Sequence, residues 1–131
     1  MADRWRIAVH EAGHIVAARL MGLPVVAASA EPGDAYADFS DRCGVHSIVA
    51  LMAGAISERL VLGGNDEHGV SDDCARWTRL MDDAGYDDEA SWAWTFALLA
   101  QHVDVIERVA AALMDAQTLD QGEIDALLAK L

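Results

Sequence analysis

His10-Glu11-Ala12-Gly13-His14 is an H-E-x-x-H motif within an apolar, alanine-rich run near the N-terminus. Two histidines four residues apart on a helix are separated by roughly 40° around the axis and about 6 Å along it, so both imidazoles can bind one metal ion. A glutamate directly after the first histidine serves as general base in zinc peptidases. The motif therefore predicts a Zn²⁺ site, with His10 and His14 as ligands and Glu11 as the catalytic base.

The composition favours a small helical protein. The chain has 131 residues, of which 53% are hydrophobic, and it contains only two prolines. This length suits one compact domain with its own core, so we expect a single domain over residues 1–131. Alanine and leucine favour helices, and proline is too rare to interrupt them often. We expect a mainly α fold, a compact helical bundle of about five helices with at most one or two short strands.

The charge pattern argues against several kinds of partner. Twenty-two acidic residues against nine basic ones give a formal net charge of −13, with no basic patch that would attract a phosphate backbone. We therefore expect no nucleic-acid partner, and we interpret the acidic stretch from Asp66 to Glu89 as a solvated loop. No apolar run approaches the roughly 20 residues of a membrane span, and Cys43 and Cys74 lack metal-type spacing. We expect a cytoplasmic protein without a membrane partner and with reduced thiols.

Hydrophobic periodicity and capping residues predict the order of the helices. Asp3 is the expected N-cap of the first helix and Ser71 that of the third, while Asp120 and Glu123 form an acidic capping box before the last helix. The helices that precede this last helix are predicted over residues 3–21, 42–62, 72–84, 88–101 and 103–116. The segments 88–101 and 103–116 could alternatively form one helix that bends near His102. The apolar stripe of the segment 88–101 consists of Trp92, Phe96 and Leu99, and that of the segment 103–116 consists of Val105, Ile106, Val109 and Leu113.

One short strand is predicted between the first two helices. Residues 24–30 form a β-like run, and a loop rich in Gly, Pro and Asp follows from Glu31 to Asp41. Zinc peptidases commonly hold an extended substrate against a strand edge, because backbone pairing binds a peptide with little regard to its side chains. The run could equally be an ordinary packing strand, and the sequence leaves both interpretations open.

A third protein ligand is needed to complete a metal site, and its identity separates the classes of zinc peptidase. The extended motif H-E-x-x-H-x-x-G-x-x-H is excluded, because Ala17 and Leu20 stand where it requires Gly and His. The remaining candidates are Glu58, His68, Asp72 and Asp73.

The direction of each side chain on the third helix selects among these candidates. At one residue every 100°, Asp73 lies with Trp77 on the apolar face, whereas Asp72 lies with Arg76 on the polar face. A carboxylate directed into a core is costly unless a cation meets it. We therefore predict Asp73 as the third ligand, with Glu58 on the second helix as the next choice and His68 after it.

Four blocks follow one another along the chain: His10 to His14, Ala53 to Gly63, Gly69 to Asp73 with Ala75 and Thr78, and Thr118 to Asp120 with residues 123–125. In residues and order they resemble the peptidase domain of the FtsH family of ATP-dependent zinc metalloproteases, and together they span most of the chain. The resemblance implies an FtsH peptidase-domain-like fold. Carried over to this sequence, it implies His10, His14 and Asp73 as the metal ligands and Glu11 as the catalytic base.

The sequence departs from the family pattern in three respects. Asp72 stands where the family has the Asn of a Ser-Asn-Asp segment, and the stretch between the first two blocks, where the family's substrate-side strand lies, is shorter. The 131 residues contain neither a membrane anchor nor an AAA ATPase domain. We therefore expect a stand-alone peptidase domain that does not itself unfold substrates with ATP.

Two functions follow as expectations. The first is a zinc metalloendopeptidase, in which zinc-activated water attacks a peptide bond of a short or flexible peptide, or of unfolded protein, with Glu11 as general base. The second is a catalytically silent binding module that keeps the peptidase fold and pairs with a protein partner, such as a separate ATPase. An intact Glu11 favours the first function, and the shortened substrate region favours the second.

Overall fold

The chain folds into a helical bundle with a small sheet on one side. The computed structural model describes residues 3–39, 44–64, 67–85 and 87–131. Within these ranges the fold is mainly helical, which confirms the predicted fold class. The elements are α1 (Arg4–Leu20), β1 (Val25–Ser29), β2 (Tyr36–Phe39), α2 (Gly44–Leu62), α3 (Glu67–Ala84), α4 (Asp88–Ala100), α5 (Val103–Ala116), β3 (Thr118–Asp120) and α6 (Gln121–Leu127).

Helix α1 is the central element of the bundle. Its predicted N-cap is confirmed, because the Asp3 carboxylate accepts hydrogen bonds from the backbone N–H groups of Trp5 and Arg6. Every residue from Ala8 to Ala18 is buried. The helix packs mainly against α2 and α5 and also touches β1 and β2, so its two motif histidines lie inside the protein.

A close approach of α1 and α2 depends on Gly13. A Cβ atom at this position would lie 2.5 Å from the Ala53 carbonyl oxygen and would overlap the Ser57 side chain. Glycine costs about 1 kcal/mol relative to alanine inside a helix, so its presence here has a packing reason. It allows the motif helix to lie directly against α2.

The sheet contains more strands than the sequence predicted. Its order is β2-β1-β3, and both pairings are antiparallel, with Ala28 opposite Ala37 on one side and Leu119 on the other. The stretch from Glu31 to Asp41 was expected to be a loop, but β2 occupies part of it. Both β2 and β3 are shorter than a typical strand, and exposed residues alternate with less exposed ones along them. Signals this short are hard to distinguish from turns.

Helix α3 begins earlier than predicted, so the assignment of Ser71 as an N-cap is wrong. The helix starts at Glu67 and runs through Gly69, whose intrinsic cost is offset by packing of α3 against α2. The predicted faces are confirmed, since Trp77 and Met81 are buried while Arg76 and Arg79 are exposed. The acidic stretch is mostly helical rather than a loop. Its acids Asp82, Asp87, Asp88 and Glu89 are exposed to solvent as expected, whereas Asp73 is partly buried.

The C-terminal helices follow the sequence closely. Helices α4 and α5 are separate elements, and the residues predicted as the α5 stripe are buried. On α4, Leu99 is buried and Trp92 is half-buried. Phe96 was expected in the core, but it is 37% exposed because it lies on the side of α4 away from the bundle. The Asp120–Glu123 capping box at the start of α6 is confirmed in both of its hydrogen bonds.

Two expectations fall partly outside the described residues. Cys74 is an exposed free thiol, whereas Cys43 and the predicted helix start at Arg42 lie outside them. Among the helices that the structure describes, none combines the length and the apolar composition that crossing a membrane requires.

We expect Gly13→Ala to destabilise the protein by about 1–3 kcal/mol, because the added methyl group must push α1 and α2 apart. Chemical denaturation followed by circular dichroism measures the change. Gly122→Ala is the matched control: it also lies in a helix, but its new Cβ meets nothing closer than Asp120 at 3.5 Å. The control should be neutral or slightly stabilising, and equal unfolding midpoints for both variants would contradict the close approach.

Candidate metal centre

The two motif histidines point to one place between α1, α2 and α3. Both side chains are buried, and their rings meet edge to face with centroids 4.7 Å apart. The Nε2 atoms of His10 and His14 are 3.1 Å apart. The helical spacing of the motif therefore brings the two imidazoles together, as the sequence predicted.

Asp73 reaches the same point from α3. Its Oδ2 atom lies 2.9 Å from the Nε2 atom of His10 and 2.9 Å from that of His14. The Asp73 side chain is 17% exposed, so the group is partly accessible to solvent. The three side chains form a group that could hold a metal ion.

Hydrogen bonds on the far side of each ring orient the imidazoles. The Nδ1 atom of His10 lies 2.7 Å from Glu58 Oε2, and that of His14 lies 2.6 Å from the Ala50 carbonyl oxygen. Both partners are acceptors, so each Nδ1 carries the proton that it donates. A neutral ring protonated at Nδ1 has its lone pair on Nε2. Two nitrogen lone pairs and a carboxylate oxygen then face one another, an arrangement that a cation stabilises.

The pKa values in the group reflect the same demand for positive charge. Burial lowers the pKa of His10, but its hydrogen bonds to Asp73 and Glu58 outweigh burial and raise this pKa to about 10. For Asp73 burial acts upward, but hydrogen bonds from His10 and His14 hold its pKa well below the usual range. A proton or a metal ion at this point meets the same electrostatic requirement.

Gly54 gives the imidazoles their space, and sequence reasoning missed it. A Cβ atom there would lie 2.6 Å from the Nε2 atoms of both His10 and His14. The available signal was a glycine in the middle of the predicted second helix, where alanine would be more favourable. Its cause is visible only once α1 and α2 are packed together.

Glu11 places a buried carboxyl group close to the two histidines. The side chain is buried beside the group, and its Oε2 atom has no hydrogen-bond partner among the described residues. Burial raises the pKa of the Glu11 carboxyl, while the neighbouring His14 and His10 rings act in the opposite direction. An unpaired buried carboxylate oxygen is costly and in native proteins has a reason such as catalysis or a bound species.

The other candidate ligands contribute differently or fall outside the description. Glu58 is buried and contacts the Nδ1 atom of His10, on the side of the ring opposite the point where the three side chains converge. The helical backbone at His68 and Asp72 belongs to α3, but their side chains lie outside the described residues.

A groove beside the group runs along β2. The ring centroid of Phe39 lies 6.0 Å from that of His14. From there the groove, of about 480 Å³, is lined by β2, by Ala27 of β1 and by Arg76 of α3. In the described part of the chain, β2 pairs only with β1, which is itself paired on both sides. The free strand edge near the site therefore belongs to β2, and β1, the strand predicted from the sequence, is the packing strand.

We expect Gly54→Ala to weaken metal binding by at least about tenfold, because the new methyl group displaces both imidazoles from their common point. Dialysis against Zn²⁺ or Co²⁺ followed by elemental analysis measures occupancy, and titration calorimetry measures affinity. Gly122→Ala controls for the gain of a methyl group on a helix. Wild-type affinity in a folded Gly54→Ala protein would contradict the role of Gly54.

Comparison of the sequence with protein-family models and with curated proteins returns no match. The functional assignment therefore depends on the chemistry of the four side chains His10, Glu11, His14 and Asp73 and on the groove beside them.

Proposed function

We propose that this protein is a zinc-dependent peptidase related to the FtsH peptidase domain. The observation that carries the proposal is the buried, unpaired carboxylate oxygen of Glu11, a residue that interacts electrostatically with the three converging side chains of His10, His14 and Asp73. A site built only to hold a structural ion would need the ligands, but it would not need this additional buried carboxylate.

The donor set supports zinc as the ion. Catalytic zinc sites use three protein ligands of nitrogen and oxygen type and leave one position open. A tetrahedral ion with bonds of about 2.0–2.1 Å separates its ligand atoms by about 3.3 Å. The three atoms here are 2.9, 2.9 and 3.1 Å apart, so small outward shifts would accommodate it. Two histidines and a carboxylate also suit iron(II) oxygenases, but that chemistry gives no role to Glu11.

The residues divide the reaction between them. His10, His14 and Asp73 would hold the ion, which when bound polarises the scissile carbonyl and makes water a better nucleophile. Glu11 accepts the proton of the attacking water through its unpaired oxygen and then delivers that proton to the leaving amine. Burial raises the pKa of the Glu11 carboxyl, which makes it a stronger base than an exposed glutamate.

The β2 edge supports a peptide as the substrate. A peptide in extended conformation can pair with the free backbone groups of an edge strand, and Phe39 connects that edge to His14. The shortened segment between the first two sequence blocks therefore still contains a strand edge beside the metal group. The net charge of −13 favours neutral or basic peptides over acidic ones.

We expect Glu11→Gln to keep bound zinc and to lower the rate of peptide cleavage by about 10²–10⁴-fold, because the amide cannot take the proton from water. Zinc content is measured by elemental analysis, and cleavage is measured with a library of fluorogenic peptides. His14→Ala and Asp73→Ala are the complementary variants, and both should lose zinc as well as activity.

Three outcomes would contradict this assignment. If the purified wild type binds no zinc, or if Glu11→Gln cleaves as fast as the wild type, the protein is not a zinc peptidase of this type. If the wild type binds zinc and cleaves no peptide, the silent binding module becomes the better description.

We expect N-methylation of alternate backbone amides in a cleaved peptide to raise KM by at least about tenfold, because each lost N–H removes a bond to the β2 edge. Methylation of the intervening amides, which point away from the strand, is the matched control and should have a smaller effect. Steady-state kinetics separate KM from kcat. Equal KM values for the two methylated series would show that the peptide does not bind as an added strand.

A further inference from the structure

Glu58 lies between the metal group and a basic residue. Its side chain is 1% exposed, and its two oxygens point to different partners. The Oε2 atom accepts the hydrogen bond of His10 Nδ1 at 2.7 Å, and the Oε1 atom accepts one from Arg6 Nη1 at 2.9 Å. His10, Glu58 and Arg6 therefore form a continuous chain of charge-assisted hydrogen bonds from the buried group towards the surface.

Arg6 is fixed by a second contact. Its Nη1 atom also donates to the carbonyl oxygen of Gly64 at 2.7 Å, just beyond the C-terminus of α2. The Arg6 side chain is 25% exposed, and it joins α1 to the end of α2 at the point where Glu58 is held. A guanidinium that bonds both a carboxylate and a backbone carbonyl has little freedom to rotate.

The two imidazoles are supported unequally. His14 donates to the carbonyl of Ala50, which belongs to the rigid backbone of α2. His10 donates to the side chain of Glu58, which has rotatable bonds and must itself be held in place. A buried carboxylate is destabilised unless a cation lies beside it, so the ion pair with Arg6 helps to hold Glu58 in position.

We propose that Glu58 and Arg6 are positioning residues for the metal centre, and that Arg6 sets metal affinity only through Glu58 and His10. This inference rests on the metal-binding part of the proposed function. Glu58 fixes the orientation of the His10 ring through its Oε2 atom, and Arg6 holds Glu58 in place through its Oε1 atom. The metal-binding strength of α1 is thereby tied to the contact of Arg6 with the end of α2.

A double-mutant cycle in the full chain tests this dependence. The variants are Arg6→Met, which keeps the aliphatic stem, Glu58→Gln, which keeps the shape and one acceptor, and the double variant. Titration with Co²⁺ or Zn²⁺ against a competing chelator gives the affinity of each. We expect each single variant to lose about 10–100-fold in affinity, and the double variant to be no weaker than Glu58→Gln alone.

Arg19→Met is the matched control. Arg19 lies near the other end of the same helix and forms an ion pair with Asp125 of α6 at 3.4 Å, outside the hydrogen-bonded chain of Arg6, Glu58 and His10. Its replacement should leave metal affinity unchanged. If Arg6 acted only by stabilising α1, Arg6→Met and Arg19→Met would lower metal affinity alike.

The visible absorption spectrum of the Co²⁺ form reports the arrangement of the ligands around the ion, so a general loss of stability would not shift its bands. Arg6→Met and Glu58→Gln should shift the cobalt bands in the same direction, because both change the orientation of His10, while Arg19→Met keeps the wild-type spectrum. The proposal is overturned if Arg6→Met keeps wild-type affinity and spectrum, if the effects of Arg6→Met and Glu58→Gln are additive, or if the wild type binds no metal. A wild type that binds cobalt with these dependences and cleaves no peptide would overturn the peptidase assignment alone.

Discussion

The structure depends on the direct contact between α1 and α2, which has a glycine on each side. Gly13 on α1 admits the Ala53 carbonyl and Ser57 of α2, and Gly54 on α2 admits the imidazoles of α1. At any larger separation, His14 would lose its hydrogen bond to the Ala50 carbonyl, and Glu58 would no longer reach His10. The packing of the two helices and the orientation of the two rings are therefore the same geometric requirement.

The inward direction of the Asp73 side chain could be predicted from the sequence, because the face on which a residue lies is a local property of a helix. The 100° step placed it with Trp77 on one face, and this inference did not depend on where the helix began. The start of α3 was mispredicted at Ser71, since a serine before two acids resembles an N-cap even in the middle of a helix. Face assignments survive an error in helix boundaries, whereas capping assignments do not.

Features that arise from contacts between distant segments were not predictable in the same way. The role of Gly54 requires α1 to lie against it, and the partners of Glu58 come from α1 and from the end of α2. The strand β2 has a weak local signal and is stabilised by pairing with β1, which in turn pairs with β3 from near the C-terminus. A sequence pattern reports what a segment favours alone, and these elements form only in the presence of their neighbours.

The charges around the two histidines favour a positive charge at the point where the three ligand atoms converge. Three carboxylates, those of Glu11, Glu58 and Asp73, lie around the rings, and Arg6 donates to that of Glu58. Buried carboxylates are costly without positive charge beside them. A positive charge at the point where the three ligand atoms converge, whether a proton or a metal ion carries it, lies against the Nε2 atoms of both histidines and the Oδ2 atom of Asp73 at once.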